Sequence, residues 1–121
     1  MLEVFDGPDW CGHPDLAAPA PPSTSLRSPL LDPRRYWRGP LWPVMIWWYG
    51  WALARRGHAG HAARLRDAGL RLVSDGQFAE YYEPVSGEAL GSADQSWTAA
   101  VTLDWLTPDL DQASRADAPP T

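Results

Sequence analysis

Between positions 37 and 51 the chain places five tryptophans, Trp37, Trp42, Trp47, Trp48 and Trp51, within fifteen residues. The stretch Val44 to Ala54 inside this run is apolar on nearly every side, so a helix built from it needs cover from several directions at once. A chain of 121 residues can supply one small core at most, and eight tryptophans are more than such a core can hide. The helix therefore reads as an inner element of a larger helical assembly. Indoles not used in packing line concave sites, where their faces stack on ligands and the ring N–H supplies one directed hydrogen bond.

Helix signals bound this element. Pro43 stands at a tolerated first-turn position, Arg55 and Arg56 suit the negative end of the helix dipole, and Gly57 stops it. A second helix is expected from about Gly60 to Ser74. Leu65, Ala68 and Leu72 form its apolar stripe with Val73 beside it, and Arg64, Arg66, Asp67 and Arg71 form its wet side. A third, capped by Ser92 or Asp94, runs from Ser96 to Trp105 and ends at Thr107-Pro108. The fold class is all-α, with inner and outer helices alternating as a helical toroid requires. Trp47, Trp48, Trp51 and Trp105 are expected in its core.

Residues 1–35, rich in Pro, Gly, Ala and Ser, read as a connector or loop, and residues 107–121 as a disordered tail. Between the second and third helices, from Gly76 to Ala93, no helical or strand period is visible. Long irregular segments inside compact domains tend to be functional, and this one is dense in aromatics and carboxylates.

Charge and composition exclude several classes. A net charge of −5 argues against a nucleic-acid partner. The one cysteine, Cys11, permits no internal disulfide, which fits a reducing compartment, the cytoplasm by default. The start of the chain lacks the pattern of a signal peptide, and the apolar run from Leu41 to Ala54 is shorter than the ~20 residues of a membrane span. No cofactor motif is present, and no metal site is expected: Cys11-Gly12-His13 is too short for zinc, and His58 and His61 read as surface residues. Acyl transfer has no Gly-x-Ser-x-Gly elbow to start from.

Glu80 stands beside Phe78, Tyr81 and Tyr82, a partly apolar setting in which protonation can be tuned. A carboxylate in a loop is ordinarily a solvated charge. Glu83, Glu88 and Asp94 are rivals that spacing cannot separate from it.

Three blocks carry a resemblance: Tyr36-Trp37-Arg38-Gly39-Pro40-Leu41-Trp42-Pro43, then Phe78-x-Glu80-Tyr81-Tyr82-x-Pro84-x-x-Gly87-Glu88, then Gln95-Ser96-Trp97-Thr98-Ala99-Ala100. In this order and spacing they resemble the end of the catalytic domain of glycoside hydrolase family sixty-three and its bacterial relatives, the mannosylglycerate and glucosylglycerate hydrolases. The resemblance implies the carboxyl-terminal segment, residues 36–106, of an (α/α)6 barrel that hydrolyses an α-glycosidic bond with inversion. One carboxyl group protonates the leaving oxygen, and a second, roughly 6.5–9.5 Å away, activates water. The general base of the family maps onto Glu80, and its general acid, an Asp far upstream, has no counterpart here. Tyr36, Trp37 and Gln95 resemble residues that hold a glycerate moiety, and Trp42 a nearby substrate-facing aromatic. The implied partner is a small carbohydrate, with the rest of the barrel supplied by an upstream segment, since twelve helices with loops need upwards of about 200 residues. Other readings remain open: a plain α-glucosidase or trehalase-like enzyme, or a truncated remnant that binds sugar or does nothing catalytic.

Overall fold

The computed structural model describes residues 2–107. Its elements in chain order are α1 (Leu2–Phe5), a 3₁₀ turn (Tyr36–Arg38), α2 (Pro43–Arg55), α3 (Ala59–Leu72), β1 (Tyr81–Tyr82), β2 (Ala89–Leu90) and α4 (Ser96–Leu106). The chain is mostly helical, with one very small sheet. The expected tail lies, apart from Thr107, outside the described residues.

Trp42 is extended and Pro43 follows at the first helical position, so α2 starts where proline's fixed φ suits a helix and its missing N–H costs nothing. At the other end, the His58 N–H donates to the Leu53 carbonyl at 2.9 Å and the Gly57 N–H to Ala54 at 3.0 Å. With Gly57 at φ +81° this pair satisfies the last carbonyls of the helix and turns the chain sharply into α3. The stripe of α3 is buried as its period requires, with Leu65, Ala68 and Leu72 in the core and Gly69 between them.

Gly50 of α2 lets α3 approach, leaving Ala62 and Leu65 within 4 Å of where a Cβ would sit. Trp105 of α4 lies against Gly69 of α3, and the Trp47 indole N–H donates to the Asp104 carboxylate at 2.6 Å, tying α2 to α4.

Two expectations are corrected. Trp48 and Trp51 are not core: they are 59% and 55% exposed, and only Pro43 and Ile46 of α2 are buried. Among the described residues nothing lies over that side of the helix, although its composition calls for cover. Leu103 and Leu106 leave α4 bare in the same way, at 68% and 65%. His61 is not simply a surface residue, since its Nε2 pairs with Asp6 at 2.8 Å and its side chain is 23% exposed.

Segment 2–35 has no strand, but it is packed. Ala18 and Ala20 are fully buried in the same cluster as Leu41, Ile46 and Tyr82. The Ala17 N–H donates to Pro84 and the Ser23 N–H to Pro40, at 2.8 and 3.0 Å. Between α1 and α3 lies a cavity of about 220 Å³ lined in part by Cys11, Asp6 and His61. Burial, then the Asp6 charge, push the Cys11 thiol up to about 12, which keeps it protonated and unreactive.

No helix among the described residues is long and apolar enough to cross a membrane.

Candidate active site

Backbone hydrogen bonds join three distant segments into one face. Leu41 and Tyr82 exchange both of their main-chain bonds, at 2.8 and 2.9 Å, fastening the Trp-rich segment to β1. The Gln95 N–H donates to the Phe78 carbonyl at 2.6 Å, and the buried Thr98 hydroxyl donates to the Ala79 carbonyl at 2.7 Å, fastening the start of α4 to the approach to the same strand. β1 pairs antiparallel with β2, Tyr81 opposite Leu90 and Tyr82 opposite Ala89. The stretch from Gly76 to Ala93 is thus built around a short hairpin, too brief to show a period of two.

Glu80 is set at the entry to this hairpin. Its N–H donates to the Ser92 carbonyl at 2.9 Å, and the Ser92 N–H donates back to the Glu80 Oε2 at 3.1 Å. Ser92 is therefore not a helix cap. Gln95 occupies that position, in extended conformation and with no side-chain hydrogen bond to the helix, so its amide is not consumed by α4.

The rival carboxylates are otherwise engaged. Glu83 is 8% exposed and accepts the N–H groups of Val85, at 2.9 Å, and Ser86, closing its own turn. Glu88 is held by Arg34 in a two-pronged pair at 2.5 and 3.0 Å, and the Arg34 hydrogen bond lowers its pKa from the ordinary value. Asp94 is exposed, at φ +53° in the turn before Gln95.

Aromatic rings stand beside Glu80. Trp37 stacks on Trp42 with centroids 3.8 Å apart and planes within 10°, and Tyr81 covers the Trp42 ring at 4.8 Å and 28°. Tyr36 meets Trp37, Trp42 and Tyr81 edge-on, and Trp97 meets Trp42 the same way. Desolvation, then the nearby Glu80 charge, raise the Tyr36 phenol above its ordinary pKa, so it stays protonated.

Accessible surface in this cluster belongs mainly to Tyr36 and Trp37, 46% and 44% exposed, with Trp97 at 38%. Trp42 is 1% exposed, its indole N–H donating to the Tyr36 carbonyl at 3.2 Å, and it stands behind Trp37 as a platform. Tyr36 itself has φ +39°, a conformation in which a bulky residue is strained. Tyr81, read along the chain only as a neighbour of Glu80, is seen here to pack on Trp42.

Among the described residues no three His, Cys, Asp or Glu side chains gather as a metal site would need. What the face offers is a carboxylate oriented by one backbone donor, an adjacent phenol, a stacked indole and an uncommitted amide, an equipment suited to hydroxyl-rich ligands.

Residues 7–98 match the family model described as a mannosylglycerate hydrolase MGH1-like glycoside hydrolase domain. A glucosylglycerate hydrolase of Mycolicibacterium hassiacum is 58% identical over 106 residues, 88% of this chain and 24% of that protein. A mannosylglycerate hydrolase of Thermus thermophilus is 40% identical over 84 residues, 69% of this chain and 20% of that protein. A GH63 mannosylglycerate hydrolase from Thermus thermophilus, solved in complex with glucose, has the same local fold, with a TM-score of 0.76 at 36% identity over 88% of this chain and 25% of that one. The chain spans about a quarter of the length of these relatives. On the extent of the family match, the chain belongs to the mannosylglycerate hydrolase MGH1-like glycoside hydrolases.

Proposed function

We propose that this chain is the part of an inverting α-glycoside hydrolase, folded as an (α/α)6 barrel, that supplies the general base, Glu80, and one wall of the site for the aglycone. The observation that carries the reading is the state of the four carboxylates. Glu83 caps a turn, Glu88 is clasped by Arg34, Asp94 lies in an exposed turn, and Glu80 is held by the Ser92 amide beside Tyr36 and the Trp37 stack. A carboxylate fixed by one backbone donor, with lone pairs to spare, can orient a water and take its proton.

Glucosylglycerate or mannosylglycerate is the substrate class this face fits. Tyr36 and Gln95 supply hydroxyl and amide hydrogen bonds to a glycerate moiety, Trp37 its indole, and Trp42 keeps Trp37 in place. Support for glycerate over an unadorned α-glucoside comes from Gln95, whose amide the helix does not use, and from a relative that has been solved in complex with Tris and D-glycerate, 40% identical with a TM-score of 0.67 over 71% of this chain. The general acid and the remaining helices come from the rest of the barrel.

The test is a hybrid in which this chain replaces the 106 matched residues of the Mycolicibacterium hassiacum hydrolase. The hybrid should hydrolyse glucosylglycerate. Glu80→Gln in it should lower kcat by about two to four orders of magnitude with KM little changed, because the base is lost and binding is not. Near-normal turnover in that variant would remove Glu80 from the role.

A further inference from the structure

We propose that Gly91 is a positioning residue for the Glu80 carboxylate, and that what it contributes is the absence of a side chain beside that group. The proposal rests on the reading of Glu80 as the base. Four glycines of the described chain have positive φ in the left-handed region, Gly57, Gly76, Gly87 and Gly91. A Cβ on Gly57 or Gly76 would meet nothing within 4 Å, and one on Gly87 would touch only the Ala17 methyl at 3.2 Å. Backbone freedom alone accounts for those three. On Gly91 the added carbon would lie 2.6 Å from Tyr81 Cε1, 2.7 Å from Glu80 Oε2 and 2.8 Å from Glu80 Cβ, distances at which something must move.

The direction of that movement follows from what surrounds the two side chains. Tyr81 is pressed on Trp42, itself 1% exposed and backed by Trp37, and Tyr36 stands against the ring edge-on. Those contacts oppose its retreat. Rotating the Glu80 side chain would relieve the contact with Oε2 but not the one with Cβ, which the main chain carries, so the Glu80 backbone and the 2.9 Å bond from its N–H to Ser92 must shift as well. Either movement stretches the 3.1 Å bond from the Ser92 N–H and carries the carboxylate away from its place beside Tyr36. Gly91 thus lets the end of β2 close on β1 tightly enough for one residue, Ser92, to hold Glu80 by both its N–H and its carboxylate.

The full chain, carried in the hybrid hydrolase, separates this from a mere need for positive φ. Asparagine accepts that conformation but adds the Cβ. Gly91→Ala and Gly91→Asn should both lower kcat about tenfold to a hundredfold with KM changed less than about twofold, the loss expected for a reacting group displaced by about 1 Å. Gly57→Asn, which adds a Cβ in open space, should leave kcat and melting temperature at parental values. In a Glu80→Gln background Gly91→Asn should cause no further loss, since it acts through the group already removed. Parental kcat in Gly91→Asn overturns the proposal, as does an independent, multiplying loss in the double variant. So does failure of both Gly91 variants to fold while Gly57→Asn folds normally, which would confine the effect to the hairpin. If Glu80→Gln itself keeps turnover, the base reading fails first.

Discussion

Tyr36 holds a backbone conformation that costs a bulky residue about 1–2 kcal/mol, and it does so in contact with Trp37, Trp42 and Tyr81. The surrounding rings hold it in that conformation. Glu88 illustrates the opposite case, a carboxylate whose partner makes it structural. Its folded pKa is depressed by Arg34, so the stabilisation from this pair is present above the ordinary carboxylate range and is lost as pH falls through the lowered value. Glu88→Gln should therefore flatten the acid side of the melting-temperature profile of the hybrid. The effect should be small and shrink with added salt, because both side chains are more than half exposed. An unaltered acid limb would show that the clasp does nothing for stability. None of this sorting of carboxylates was legible along the chain. The partners that settle it, Arg34 for Glu88 and Ser92 for Glu80, stand 54 and 12 residues away.

Helices were the readable elements. Pro43, Gly57 and the Leu65, Ala68, Leu72 stripe set α2 and α3 to within a residue or two, because caps and periods are local properties. The hairpin was not readable: two-residue strands carry no period, and its place is set by the distant Leu41–Tyr82 bridge. Two glycines of α3 that look alike in sequence differ in what faces them. On Gly69 a Cβ would lie 2.2 Å from the Trp105 ring, whereas on Gly60 it would meet nothing. Gly69→Ala should destabilise by about 1–3 kcal/mol through overpacking. Gly60→Ala should stabilise by about 0.4–1 kcal/mol through loss of freedom in the unfolded chain. Denaturant midpoints of the hybrid variants measure both, and equal signs would refute the assignment of Trp105 to the α3 surface.

At the scale of the molecule the side of α2 bearing Trp48 and Trp51, with Leu103 and Leu106 of α4, is the largest departure from what the apolar sequence calls for. The relatives are far longer than this chain, which matches only 24% of the Mycolicibacterium hassiacum protein, and we expect their additional helices to lie over these residues. The isolated 121-residue chain should accordingly bind the dye ANS strongly and hydrolyse no glucosylglycerate, whereas the hybrid should bind little dye and turn over substrate. Measurable hydrolysis by the isolated chain would overturn that expectation. The demand for burial was plain in the sequence, but which residues meet it depends on surfaces the described chain does not contain. The three segments that form the site are joined by main-chain groups, Leu41 to Tyr82, Gln95 to Phe78 and Glu80 to Ser92, with Thr98 adding one hydroxyl. Peptide groups are common to nearly every residue type. The side chains of residues such as Trp37 and Gln95 can therefore be exchanged by evolution or by an engineer while the main-chain frame that holds Glu80 to Ser92 is kept.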